Sequence, residues 1–285
     1  MILAQHPDIF ITPQKETHYF TRLYGQEDLV FYETRYFQGQ RGQRAVGELT
    51  PDYMRHPEVP KRIRDSLTGN VKLIFCLRDP VARAFSHYLQ CVRILIERES
   101  FARAIKLEQD RLAQDYFNGM RRLYIGAGLY SGQIQRFLEV FPKEQMFFMV
   151  LEQDFLVNRA KAVERLLDFL GLDTDPSLNL DVRNTSLPPP TIRIVGPGDK
   201  VVWKSATGES TLPAGAIVLR TGNSGLDRVV VAPSQGTHEY FLQLQQNMTQ
   251  QLTDELAADI YQRHFRDEVS RMETLLDRDL SGWHR

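Results

Sequence analysis

Residues 72–88, KLIFCLRDPVARAFSHY, place Arg78 where an apolar run ends, with Arg83 and Ser86 three apart just beyond it. If that following segment is a helix, a spacing of three puts both side chains on one face. A guanidinium and a hydroxyl near a helix start can hold a phosphate through short charge-assisted hydrogen bonds, and the helix's free N–H groups add to them. The competing reading is a strand, a tight turn and an ordinary amphipathic helix whose arginine lies in solvent. Spacing alone leaves both open.

The elements that would position these groups follow from pattern. VKLIFCL is a continuous apolar run, which suits a strand covered on both faces and hence a parallel sheet. Asp79 is placed to cap the next helix, with Pro80 at its first position. Helical spacing continues to about residue 115 with a polar middle. DIFITP and RAVGELTPDYM read as short extended segments, and HPEVPKRIRDSL as a helix. YSGQIQRFLEVFP reads as a helix stopped by proline, and QMFFMVLEQDF as a second buried strand. RAKAVERLLDFLGL is an amphipathic helix closed by Gly171, and a long last helix opens at Thr253.

Strands alternating with helices point to an α/β fold with a parallel sheet flanked by helices. Residues 187–236 break that rhythm. Their short β-branched runs, separated by Gly, Pro and Asn, predict a small β-rich insertion of hairpins within one 1–285 domain.

Bulk composition narrows the function classes. The chain has 285 residues, 42% hydrophobic and 25% charged, and a formal net charge of -1. No global basic field recruits nucleic acid or an anionic membrane, so an anion site must be local. No run of about 18 or more apolar residues encodes a membrane span. Cys76 and Cys91 have neither a disulfide framework nor a metal-binding spacing, so no metal is expected and a reducing, cytoplasmic setting is favoured.

KLIFCLRDPVARAFSHY closely resembles the 3′-phosphate-binding element of the sulfotransferases that use 3′-phosphoadenosine-5′-phosphosulfate (PAPS), above all the heparan-sulfate type and its bacterial relatives. LAQHPDIFITPQKETHYF, GELTPDYM, YSGQIQRFLEVFPKEQMFFMVLEQDF and RDLSGW resemble further family segments. The similarity covers most of residues 2–186 and 247–283. It implies a P-loop-NTPase-like sulfotransferase fold and PAPS as co-substrate. It also implies Arg78 and Ser86 on the nucleotide's 3′-phosphate; Arg83, on the same helix face as Ser86 by spacing, is a further nucleotide-binding candidate.

On the acceptor side the resemblance implies Glu16 as the base that takes the acceptor's proton, with His18 lining or orienting that side. Lys15, Glu48 and Tyr53 are further candidates for substrate binding. Were KETH extended, Glu16 and His18 would project to one side and Lys15 to the other. Leu49 stands where heparan-type relatives often carry lysine, which removes one charge from the acceptor or the sulfonate side. Tyr130 and Arg136 lie on a helix that approaches nucleotide or acceptor in the family, although packing or a solvent ion pair is the commoner role.

A family member is expected to begin with a strand, a Gly/Ser/Thr-rich loop bearing lysine, and a helix that together wrap the 5′-phosphosulfate. MILAQHP resembles the tail of that helix, so the chain reads as starting roughly 20 residues late for a strand–loop–helix unit. A nucleotide kinase would need Gly-x-x-x-x-Gly-Lys-Ser/Thr after a strand, which the sequence lacks. The expected acceptor is a carbohydrate or a small or carrier-bound metabolite. The alternatives are a catalytically impaired relative that binds glycans or a partner, and a structural homodimer.

Overall fold

The computed structural model describes residues 2–94, 96–181 and 250–284, together with 191–194, 198, 202–205, 208–211, 217–220, 228–230 and 246–247. The strands are β1 (Ile9–Ile11), β2 (Ala45–Gly47), β3 (Leu73–Leu77), β4 (Met146–Val150), β5 (Thr191–Ile194), β6 (Val202–Ser205), β7 (Gly208–Thr211), β8 (Ile217–Arg220) and β9 (Arg228–Val230). The helices are α1 (Leu29–Tyr36), α2 (Asp52–Arg55), α3 (Val59–Ser66), α4 (Pro80–Arg93), α5 (Phe101–Lys106), α6 (Glu108–Gln114), α7 (Tyr116–Met120), α8 (Tyr130–Leu138), α9 (Arg159–Leu170), α10 (Asp254–Ile260) and α11 (Arg266–Leu276). The chain divides into two compact units, one of Met1–Pro80, Leu129–Arg183 and Tyr261–Arg285, the other of Val81–Gly128 and Asn184–Ile260.

In the first unit β1 pairs with β2 and β3 with β4, both in parallel, as the α/β pattern predicts. The register sets Ile74 beside Phe147 and Cys76 beside Met149. Phe147 and Met149 are buried in one cluster with Ala162 and Leu166 of α9. Ile74 is 39% exposed and Cys76 is also solvent-accessible although its surroundings desolvate the thiol, so among the described residues this face of β3 is open at its surface. This corrects the expectation of a strand covered on both faces. The buried cluster with α9 takes in Phe147 and Met149 of β4, and a continuous apolar run cannot distinguish one covered face from two.

Strand β4 also ends earlier than its apolar run suggests. Leu151–Phe155 coil into one wide helical turn because Asp154 reaches back and accepts the Val150 N–H at 2.7 Å. Arg278 donates twice to the same carboxylate, at 2.7 and 2.8 Å, and Arg165 once, at 3.0 Å. Asn158 then caps α9 by accepting the Lys161 N–H, and Gly171, at φ 74°, closes it in the left-handed conformation that glycine adopts without strain.

The second unit is built around Tyr88, Phe101 and Tyr124, all fully buried. The helical spacing read through residue 115 is interrupted after Arg93, at the polar middle of the segment. Glu97, 0% exposed, gathers that break: its carboxylate accepts from Arg111 at 2.6 and 3.0 Å, from the Tyr124 hydroxyl at 2.7 Å, and from the N–H groups of Arg98 and Glu99. Burial alone pushes this carboxyl's pKa up, but the Arg111, Tyr124 and backbone hydrogen bonds outweigh it and hold the group below the usual range. In residues 187–236, β5–β8–β9 and β6–β7 pair antiparallel, while their connections lie outside the described residues. Thr253 accepts the Leu256 N–H at 3.3 Å and starts α10.

Candidate active site

Beyond β1 the backbone runs alongside β2. The Thr12 N–H donates to Gly47 O and the Glu16 N–H to Leu49 O, each at 3.1 Å. The KETH segment is not extended. Glu16 has φ 61° and His18 φ 54°, both left-handed in non-glycine residues. Such a conformation costs on the order of 1–3 kcal/mol per residue and persists only where surrounding contacts over-determine it.

Those contacts converge on Thr17, which is 3% exposed between the two strained residues. Its hydroxyl donates to Glu48 Oε2 at 2.5 Å and lies 2.9 Å from the Tyr53 hydroxyl. Glu48 also accepts from Thr50 on Oε2 at 2.7 Å, and from Tyr32 and Tyr53 on Oε1 at 2.6 and 2.8 Å. A carboxylate offers about four lone-pair directions, and four hydroxyls occupy them here. Burial and the Glu48 charge together push the Tyr32 and Tyr53 hydroxyls well above their ordinary pKa, so both stay protonated donors. On the other side of the loop, His18 O accepts the Arg22 N–H at 2.8 Å and opens the turn Tyr19–Leu23.

The pinned loop brings Glu16 Oε2 to 3.7 Å from His18 Nε2. Glu16 keeps 41% of its side chain exposed and His18 21%, while Lys15 points outward. Burial, then the Arg22 charge, lowers the His18 pKa, so its imidazole is neutral at neutral pH. His18 Nδ1 lies 3.4 Å from Asp52 Oδ2 at the start of α2, and Arg55 pairs with Asp52 Oδ1. Glu48 and Tyr53, expected at the acceptor side, are both committed to the hydroxyl network beneath the loop. Thr17, Tyr32, Thr50 and Asp52 were not singled out by sequence. GELTPDYM did contain two of them, and a threonine between two polar candidates was the available signal.

Arg78 follows β3 directly, and its backbone carbonyl accepts the Tyr130 hydroxyl at 3.0 Å. Its Nε is buried with no hydrogen-bond partner among the described residues. The adjoining Asp79 N–H donates to Glu152, which also accepts the Trp283 indole N–H. Pro80 opens the 14-residue α4. In the second unit, Arg83 donates to Tyr124 O and Ser86 is exposed on α4. Arg136 donates to Gly132 O and Arg55 O, so it is held by backbone carbonyls.

Residues 4–189 match the sulfotransferase domain family. The chain is 31% identical over 171 residues to mouse heparan sulfate glucosamine 3-O-sulfotransferase 3B1, covering 60% of this chain and 41% of that protein. It is 32% identical over 170 residues to human heparan sulfate glucosamine 3-O-sulfotransferase 6, covering 60% and 47%. The chain thus spans less than half the length of these curated relatives. A solved sulfotransferase from Alicyclobacillus acidocaldarius superposes with a TM-score of 0.66 at 27% identity, covering all of this chain and 92% of that one. With a match over residues 4–189 and this shared fold, the chain belongs to the sulfotransferase domain family.

Proposed function

We propose that the chain transfers a sulfuryl group from PAPS to a hydroxyl or amine of an acceptor, with carbohydrate as the first class to test. The observation that carries this reading is the Glu16–His18 pair, held 3.7 Å apart on a strained loop whose only buried member is locked to Glu48. Strain retained at an exposed carboxylate is typical of a group that must face a reactant. Glu16 takes the acceptor's proton as the acceptor oxygen attacks sulfur, and His18 orients Glu16. Sulfuryl transfer requires acceptor, sulfur and leaving oxygen roughly in line, so positioning and charge stabilisation are the main demands on the protein.

The residues present fit a phosphorylated nucleotide. A buried guanidinium Nε with no hydrogen-bond partner among the described residues, at a strand's carboxyl end, is a donor able to take an anionic acceptor, and Tyr130 fixes the backbone that carries it. Arg78 serves the 3′-phosphate in this reading, and Ser86, exposed on α4, is a candidate from the sequence resemblance alone. Arg83 donates to Tyr124 O and so ties α4 to that segment, and Lys15 is exposed and available to an anionic oxygen. Among the described residues no helix is long and apolar enough to cross a membrane.

The test is calorimetric titration with the desulfated nucleotide PAP. Arg78→Ala is expected to weaken binding by about 1.5–3 kcal/mol, the scale for hydrogen bonds to charged groups. Unchanged affinity removes Arg78 from the nucleotide site.

A further inference from the structure

Resting on the reading of Glu16 as the base, we propose that Asp52 is a positioning residue that sets the tautomer and ring orientation of His18. Three observations meet at this imidazole. Each ring nitrogen faces a carboxylate: Nε2 lies 3.7 Å from Glu16 Oε2 and Nδ1 lies 3.4 Å from Asp52 Oδ2. Nδ1 is buried and makes no hydrogen bond among the described residues, and Asp52 Oδ2 at 3.4 Å is the carboxylate oxygen presented to it. Arg55 holds the other Asp52 oxygen, with side-chain exposures of 13% and 21%, so the carboxylate is itself anchored.

The chemistry follows from the proton count of a neutral imidazole, which carries one N–H and one lone pair. With the proton on Nδ1 toward Asp52, the Nε2 lone pair faces Glu16. Once Glu16 has removed the acceptor's proton, its new O–H can donate to that lone pair. With the opposite tautomer, Nε2–H would donate to the Glu16 carboxylate, stabilise its charge and weaken it as a base. Asp52 therefore favours the arrangement in which His18 receives a hydrogen bond from Glu16 rather than opposing proton uptake. The charged groups acting on His18 are Glu16, Glu48, Asp52, Arg22 and Arg55, drawn from the loop, its following turn, β2's continuation and α2.

The experiment is 15N NMR of the histidine ring nitrogens in the full chain, compared across wild type, Asp52→Ala, Asp52→Asn and Glu16→Gln. Wild type is expected to show His18 with a protonated Nδ1 and an unprotonated Nε2. Asp52→Ala is expected to move the ring toward the Nε2–H tautomer and to lower kcat on the order of 10²-fold with acceptor KM unchanged. Asp52→Asn, whose amide oxygen still accepts, restores part of the Nδ1–H population and of kcat, and it serves alone if the alanine variant does not fold. An Nε2–H tautomer in wild type, or ring shifts indifferent to both Asp52 substitutions, overturns the proposal. The ring spectra report on Asp52 and His18 whether or not sulfuryl transfer occurs. Failure of Glu16 as base would instead appear as full turnover in Glu16→Gln with the wild-type His18 tautomer intact.

Discussion

The Thr17 hydroxyl donates to Glu48 Oε2 at 2.5 Å, and this contact ties the one buried residue of the Glu16–His18 loop to a carboxylate already held by three other hydroxyls. Glu48 thus shapes the loop from beneath. Two left-handed residues flank Thr17, so releasing it lets both relax toward ordinary backbone conformations.

Thr17→Val keeps the shape of the side chain and removes the donor. It is expected to lower stability by about 1–3 kcal/mol, because Glu48 loses a partner in a partly buried site. Urea unfolding measures this. Turnover should fall far more than PAP affinity, since the loop carries Glu16 and His18. An equal loss of both would mean that the network supports the whole fold and not the loop in particular.

Stability should fall in two stages as pH is lowered. His18 and His56 have folded pKa values below their ordinary value, each chiefly through burial and then a nearby arginine. The unfolded chain therefore binds more protons at these groups, and stability begins to drop as pH falls below about 6.5. Glu97 and Asp154 are held low by their arginine and backbone hydrogen bonds against the opposing effect of burial. Their contribution is present above the usual carboxylate pKa of about 4 and is lost as pH falls through the folded value. Thermal melts from pH 8 to pH 3 would reveal both stages, and His18→Gln should shrink the upper one while leaving the His56 contribution.

Most of the architecture was readable from sequence because it rests on local periodicity. The parallel pairs, the proline-opened α4 and the glycine-closed α9 each follow from residue type at a fixed offset. What sequence missed depends on contacts between distant segments. The end of β4 is dictated by Asp154 and its bonds to Arg278, 124 residues away in sequence. The left-handed backbone at Glu16 and His18 is held by Glu48, Tyr32, Tyr36 and Tyr53, so no pattern within KETH announces it. Glu16 and His18 nonetheless approach each other, through loop geometry rather than through strand alternation.

The open face of β3 gives a contrast between neighbouring residues. Phe75 is buried, packing on Phe137 and Phe148 at ring-centre distances of 5.2 and 5.1 Å. Ile74 projects to the other face and is 39% exposed. Phe75→Ala is expected to cost about 3–5 kcal/mol, and Ile74→Thr within about 1 kcal/mol. Denaturant titration separates them, and a comparable loss from both would show that the β3 face is covered in the folded protein.

The most direct test of the account is single-turnover sulfuryl transfer by Glu16→Gln, with PAP affinity of the same preparation determined by calorimetry. The substitution preserves side-chain size and removes the proposed proton acceptor. With Glu16 as the base, PAP affinity is expected to stay at the wild-type level and the chemical step to slow by about 10²–10⁴-fold, the range for losing a general base. A Glu16→Gln protein that transfers sulfate at the wild-type rate would contradict it.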